Sequence, residues 1–147
     1  MIMLEKIMIR KAKSTDYSEL QKLSFDDLGY ECDAELVKIR LENLDPNNES
    51  VFVADVNGKV AGYVHIIKFN TLYYKSMANI QGLVVAKEHQ RKGYGKELMK
   101  AAEDWARDKD IEMVRLNSGF LRPEAHKFYR AIGYNYEKEQ IRFMKEL

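Results

Sequence analysis

Cysteine and proline are both scarce in this chain of 147 residues. Cys32 is the single cysteine, so an internal disulfide is impossible and we expect a reducing compartment. The two prolines, Pro46 and Pro123, lie outside any Gly- or Ser-rich stretch that would indicate a linker. Without repeats or low-complexity tracts, a chain of this length predicts one domain spanning residues 1–147.

An excess of charge of either sign is also missing. Lysine and arginine total 24 against 23 acidic residues, which leaves a net charge of +1. That balance argues against a nucleic-acid partner or an anionic membrane surface, so any anion site must be local.

No window approaches the roughly 18 apolar residues that a membrane helix needs, and no signal-peptide core follows Met1. We therefore expect a cytoplasmic protein.

Metal-ligand spacing is absent from the sequence as well. His65, His89 and His126 are far apart, and Cys32 has no activating residues beside it in the sequence. We therefore expect neither a metal site nor a cysteine nucleophile.

The order of apolar patterns predicts an α/β fold. Asn57-Gly58 predicts a hairpin between the second and third strands. The predicted strands are 7–12, 51–56, 60–69, 77–86 and 111–117, with a closing hairpin over 134–144. The predicted helices are 15–28, 34–44, a long one from 94, and 123–132. This order indicates a single-domain fold in which a mixed, mostly antiparallel sheet carries helices on both faces.

The segment Gln90-Arg91-Lys92-Gly93-Tyr94-Gly95-Lys96 joins a predicted strand to a predicted helix. The first turn of a helix carries free N–H groups and a partial positive charge, so basic residues are unfavourable there. A local rule broken in this way often marks a functional site. Glycines that allow close approach, together with these N–H groups and basic side chains, predict a phosphate site. The alternative is a tight turn beside a solvated basic face.

Two other glycine motifs fit this segment less well. A P-loop needs Ser or Thr after its Gly-Lys pair and four residues between its glycines, which this chain does not have. A dinucleotide-binding fingerprint needs a third glycine where this chain has Leu98.

The order of elements and two motifs resemble the GNAT superfamily of N-acetyltransferases. The motifs are Gln90-x-x-Gly93-x-Gly95 and Ala125-His126-Lys127-Phe128-Tyr129 followed by Ile132-Gly133-Tyr134. The likeness covers nearly the whole chain and is strongest over residues 80–134. It implies that the bound anion is the pyrophosphate of the cosubstrate acetyl-coenzyme A (acetyl-CoA), held by the amides of residues 91–96. The cofactor-binding residues implied in this way are Leu83, Val84, Val85, Gln90, Arg91, Lys92, Gly93, Tyr94, Gly95, Lys96 and Asn117.

The same resemblance implies that Tyr129 is the general acid. A phenol with a pKa of about 10 stays protonated at neutral pH and can donate a proton to a departing thiolate. The alternative is a buried aromatic residue whose hydroxyl is merely paired. The thioester carbonyl would be polarised by a backbone N–H group of Val84 or Val85.

The chain departs from the family pattern at two places. Gln81-Gly82 stands where many relatives carry a glutamate, and an amide cannot usefully accept a proton near neutral pH. The general base is left open between water, His65 and the carboxylates of residues 26–27 and 31–33, and attack without a dedicated base is a further alternative. Arg122 stands where many relatives have asparagine, and it could contact a phosphate instead.

The resemblance therefore implies an acetyl-CoA-dependent N-acetyltransferase that acts by direct attack on a primary amine of a small molecule or peptide, and the lack of an evident nucleophile agrees with direct attack. The alternatives are a non-catalytic coenzyme A-binding sensor module and an acyltransferase that uses a different acyl-CoA. Carboxylates between the first two helices would favour a cationic amine, although a solvated loop explains them nearly as well; they are Asp26, Asp27, Glu31 and Asp33. The resemblance leaves a homodimer open, and no nucleic acid or membrane partner is expected.

Overall fold

The computed structural model describes residues 5–135 and 138–147, and these form an α/β fold. The chain divides into two compact units, Met1–Leu116 and Asn117–Leu147, so one domain over residues 1–147 stays a prediction. Short 3-10 turns at Ser14–Asp16 and Lys87–His89 precede two of the helices. The elements are β1 (Ile7–Lys11), α1 (Tyr17–Asp26), α2 (Ala34–Glu42), β2 (Glu49–Val56), β3 (Lys59–Lys68), β4 (Met77–Val85), α3 (Tyr94–Asp108), β5 (Met113–Leu116) and α4 (Pro123–Ala131).

The first unit is built on a five-stranded sheet in the order β1-β2-β3-β4-β5. The first three strand pairs are antiparallel and the β4–β5 pair is parallel, which confirms the predicted mixed, mostly antiparallel sheet. Asn57 (φ 54°) and Gly58 (φ 85°) turn β2 into β3. Both have the positive φ that the favoured two-residue hairpin requires, so the Asn-Gly signal is confirmed.

Helices of the first unit cover both faces of the sheet. Side chains alternate between faces along β2, as they do in any strand. Val51 and Val53 pack against Leu20 and Leu23 of α1. Phe52, which lies between them, instead lines a cavity beside α3. The prediction of helices on both faces is therefore confirmed.

The closing hairpin predicted over residues 134–144 is wrong for the residues that the structure describes. Residues 136 and 137 lie outside them, and residues 138–147 contain no strand. Ile141 and Phe143 are 81% and 88% exposed. A strand is stable when one face of it is buried. This segment offers only a loose alternation of apolar and charged residues, which is too weak a pattern to define such a face.

Candidate active site

The predicted anion-binding segment forms a left-handed bend at the beginning of α3. Arg91 has a φ of 65° and Gly93 a φ of 85°. Gly93 is the N-cap residue of α3. A β-carbon at Gly93 would meet no heavy atom within 4 Å, so the backbone angle, rather than a lack of space, favours glycine there. Arg91 also has a left-handed φ although it carries a β-carbon, and this strain costs on the order of 1 kcal/mol.

The amides at the beginning of α3 have no side-chain cap. Gly93 offers no capping oxygen, and the N–H of Glu97 donates to the Gly93 carbonyl over 3.1 Å. The first-turn N–H groups before Glu97 therefore point out of the helix end, where the helix dipole is positive. Arg91 and Lys96 are exposed beside them and form no ion pair with any described residue. This donor set fits a diphosphate, because it combines uncapped amides with cationic side chains.

Lys92 forms an ion pair with an acidic residue from the other end of the first unit. Its Nζ lies 3.3 Å from Oε1 of Glu5, and the Tyr94 hydroxyl donates to Oε2 of Glu5 over 2.6 Å. The Tyr94 hydrogen bond, and then Lys92, hold the pKa of Glu5 below its usual value. The same hydrogen bond raises the pKa of Tyr94. Sequence reasoning missed Glu5 because nothing local signals a contact that spans so much of the chain.

The strand before the bend leaves part of one edge unpaired. The pairing of β4 with β5 runs from Met77 to Ile80, whereas β4 continues to Val85. A register shift between His65 and Ile66 of β3 falls opposite the point where the β5 pairing stops. No strand among residues 5–135 and 138–147 pairs with residues 81–85 on the β5 side. Such an edge offers main-chain donors and acceptors to an extended ligand.

Main-chain directions on this edge follow from one hydrogen bond. The N–H of Ala86 donates to the carbonyl of Ala61 over 2.8 Å, so the main chain of Ala86 faces β3. Because these groups alternate along a strand, Val84 also faces β3, while Leu83 and Val85 face the open edge. The Gln90 side chain donates to the Val85 carbonyl over 3.0 Å and so ties the bend to the strand.

Gly62 allows β3 to approach this part of β4 closely. A β-carbon at Gly62 would lie 2.6 Å from the carbonyl oxygen of Val84 and 3.2 Å from the Cα of Val85. No side chain fits there unless one of the two backbones moves. A single glycine inside a predicted strand is a signal for such an approach, and the sequence reasoning did not use it.

Two of the four acidic residues around the connection from α1 to α2 accept backbone N–H groups. Oδ1 of Asp33 accepts the N–H of Glu35 over 3.0 Å and caps α2. Oδ1 of Asp27 accepts the N–H of Lys87 over 3.2 Å and joins the end of α1 to the turn before α3. The other two, Asp26 and Glu31, are exposed, and so is Asp33.

Two of the histidines have polar partners. Nε2 of His65 lies 2.8 Å from Oε1 of Glu49, and Nε2 of His126 lies 2.9 Å from the Gly119 carbonyl. Within the described residues, no group of three His, Cys, Asp or Glu side chains could hold a metal ion.

The same part of the chain has no helix long and apolar enough to cross a membrane, and a cytoplasmic location stays a prediction.

Tyr129 and Asn117 belong to the second unit. Burial raises the pKa of the Tyr129 phenol, and the Arg122 guanidinium opposes that shift only in part. The ring of Tyr129 lies edge-on to Phe128 and to Tyr134, with centroid distances of 5.2 and 6.1 Å. The phenol is therefore protonated at neutral pH, as a general acid must be.

Comparison with known proteins gives the family. The sequence profile of the Acetyltransferase (GNAT) family matches residues 11–134. An uncharacterized N-acetyltransferase of Chlorobaculum tepidum is 30% identical over 122 residues, which are 81% of this chain and 74% of that protein. The aminoalkylphosphonate N-acetyltransferase of Salmonella typhimurium is 32% identical over 105 residues, 71% of this chain and 66% of that protein.

A solved structure agrees with these relatives. An aminoglycoside acetyltransferase from an uncultured soil metagenomic sample, in complex with sisomicin, superimposes with a TM-score of 0.76 at 26% identity over 96% of each chain. The chain belongs to the GNAT family of acetyltransferases. This confirms the resemblance, the enzyme class of an acetyl-CoA-dependent N-acetyltransferase, and acetyl-CoA as the cosubstrate.

Proposed function

We propose that this protein transfers the acetyl group of acetyl-CoA to a primary amine of a small molecule or peptide by direct attack. One observation carries the proposal: the bend at Arg91 and Gly93 leaves the first amides of α3 uncapped beside exposed cations. Arg91 and Lys96 would contact the pyrophosphate together with the amides of residues 91–96. Lys92 and Tyr94, which contact the Glu5 carboxylate in this structure, would release it and bind phosphate oxygens instead.

The open edge of β4 would bind the pantetheine arm through the main chain of Leu83 and Val85. When bound, acetyl-CoA would supply the thioester carbonyl that the amine attacks. Of the two N–H groups expected to polarise that carbonyl, the one of Val85 faces the open edge and the one of Val84 faces β3. We therefore assign the donor role to Val85. The Gln90 side chain donates to the Val85 carbonyl and so holds the next peptide, between Val85 and Ala86. Asn117 stays a proposed cofactor contact by resemblance.

Tyr129 would act as the general acid. Its raised pKa keeps the proton on Oη at neutral pH, where it can be donated to the departing thiolate. The general base stays open between water, the His65 ring that Glu49 orients, and the exposed carboxylates of Asp26 and Glu31. Asp27 and Asp33 are weaker candidates, because each already accepts a backbone N–H group.

The acceptor proposed is a cationic primary amine. Two relatives support this class by their names: one is an aminoalkylphosphonate N-acetyltransferase and the other an aminoglycoside acetyltransferase in complex with sisomicin. The exposed carboxylates of Asp26 and Glu31 would attract such a cation.

The test combines cofactor binding with turnover. Acetyl-CoA at about 100 times its Kd should stabilise the protein by roughly 2.7 kcal/mol. Thiol release would then be followed with sisomicin, spermidine and 2-aminoethylphosphonate. Tyr129→Phe should lower kcat about a hundredfold and leave the Kd of acetyl-CoA nearly unchanged, because one general acid contributes about that factor. The control is Tyr73→Phe, at a position that is 85% exposed. A wild-type protein that no coenzyme A species stabilises would contradict the proposal, and unchanged turnover in Tyr129→Phe would remove Tyr129 from the mechanism.

A further inference from the structure

The hydroxyl groups of Ser24 and Tyr63 form a short chain of hydrogen bonds between α1 and β3. Ser24 Oγ donates to the carbonyl of Leu20 over 2.8 Å. The same Oγ lies 2.7 Å from Oη of Tyr63. A serine hydroxyl has one proton. Because Ser24 gives its proton to Leu20, the proton between the two hydroxyls must come from Tyr63.

Tyr63 therefore presents its oxygen as a hydrogen-bond acceptor. In the described part of the chain, Ser24 is the single hydrogen-bond partner of Oη. Burial raises the pKa of Tyr63, so the phenol stays neutral and its proton stays directed at Ser24. The lone pairs that remain can accept a hydrogen bond from an N–H group.

Gly82 leaves space in front of this oxygen. A β-carbon at Gly82 would lie 3.9 Å from Tyr63 Oη and 3.9 Å from Cδ1 of Leu28. Gly82 does not have a positive φ, and no backbone atom lies within 4 Å of that position. Neither the backbone angle nor a close backbone approach explains the glycine. What it does provide is a gap beside Tyr63, next to the Leu83 main chain that faces the open edge.

We propose that Oη of Tyr63 accepts a hydrogen bond from the N–H of the acceptor amine in the gap at Gly82. The inference rests on the proposed function, because it places the amine beside the strand that would hold the thioester. A primary amine suits this arrangement, since it keeps N–H groups for Tyr63 while its lone pair points at the carbonyl. Ser24 is a positioning residue that directs the Tyr63 proton away from the amine.

The experiment compares variants of this hydroxyl chain with the same three amines: sisomicin, spermidine and 2-aminoethylphosphonate. Tyr63→Phe keeps the ring and removes only the oxygen. We expect the Kd and KM of the amine to rise about tenfold, the size of one lost hydrogen bond, with the Kd of acetyl-CoA unchanged. Gly82→Ala should weaken amine binding in the same way by narrowing the gap. The matched control is Tyr74→Phe, at an exposed tyrosine.

Binding of each amine is measured by calorimetry in the presence of coenzyme A, independently of turnover. Amine Kd values that stay unchanged in both Tyr63→Phe and Gly82→Ala would overturn the inference. A parallel loss of acetyl-CoA affinity in Tyr63→Phe would also overturn it, because that result indicates a structural role. A wild type that binds none of the amines contradicts it as well. A wild type that binds an amine through Tyr63 and releases no thiol would support this inference and contradict the proposed function.

Discussion

The hydroxyl of Tyr94 donates a hydrogen bond of 2.6 Å to the carboxylate of Glu5. The other oxygen of that carboxylate lies 3.3 Å from Nζ of Lys92. One acidic side chain therefore occupies two groups of the segment proposed to hold the pyrophosphate. A carboxylate and a phosphate present similar anionic oxygens to such donors, so we expect them to compete.

Glu5→Gln should tighten the binding of acetyl-CoA about threefold at low ionic strength. The substitution removes the negative charge that neutralises Lys92, and an exposed ion pair is worth a few tenths of a kcal/mol to about 1 kcal/mol. Titration calorimetry at two salt concentrations measures the effect, which should shrink as salt rises. Glu88→Gln is the control, because Glu88 is an exposed acid in the Lys87–His89 turn that precedes the bend. Weaker binding by Glu5→Gln would instead show that the carboxylate supports the bend.

Gly93→Ala should destabilise the fold by about 1 kcal/mol and weaken acetyl-CoA binding. The cost arises from the φ of 85°, which an alanine adopts only with strain, and not from a clash. Gly29→Ala is a matched control, since Gly29 has a φ of 77° and a β-carbon added there would likewise meet no heavy atom within 4 Å. Urea denaturation should give similar losses for both variants, and only Gly93→Ala should raise the Kd of acetyl-CoA. Equal cofactor affinity in the two variants would place the pyrophosphate elsewhere.

Gly62→Ala should lower both stability and cofactor affinity. Its β-carbon would lie 2.6 Å from the Val84 carbonyl oxygen, so β3 and β4 must separate at the strand proposed to bind pantetheine. Overpacking of this kind costs about 1–3 kcal/mol. Gly82→Ala is the comparison for stability, because its β-carbon would make only ordinary contacts at 3.9 Å. Thermal denaturation with and without acetyl-CoA measures both effects, and a Gly62→Ala protein of wild-type stability would contradict the close approach.

Acid should destabilise the protein through Asp16. Burial by itself would raise the pKa of Asp16, but hydrogen bonds from Arg10 at 2.9 and 3.0 Å and from the Lys13 N–H at 2.7 Å outweigh it, and the pKa lies below its usual value. A carboxylate with a lowered pKa stabilises the fold above its unfolded pKa of about 3.9, and the contribution is lost as the pH falls through the folded pKa.

Asp16→Asn should therefore cost about 3 kcal/mol at neutral pH and flatten the acid limb of the stability curve. Urea denaturation between pH 7 and pH 2 measures both. Asp104→Asn serves as the control, because Asp104 pairs with Arg107 on an exposed helix face and should change little. An acid limb that Asp16→Asn leaves unchanged would show that other carboxylates control it.

Predictions that rest on neighbouring residues are confirmed, whereas one that depends on a distant partner is wrong. Asn57-Gly58 predicted its hairpin because asparagine and glycine tolerate the positive φ of the turn. Pro123 predicted the first turn of α4 because its ring fixes φ near the helical value. The closing hairpin was wrong for the described residues, because a strand depends on a distant partner that a loose local pattern does not identify.

The sequence by itself determined the family, the bend and the helix that follows it, because glycine angles and the apolar stripe of α3 are properties of neighbouring residues. Only the tertiary structure decided which main-chain donors face the open edge of β4. Val84 and Val85 look alike in the sequence, yet strand pairing directs one N–H towards β3 and the other to the open edge. The contacts of Tyr63 with Ser24 and of Tyr94 with Glu5 likewise join distant segments, and the register of the sheet and the packing of helices on it determine which side chains meet.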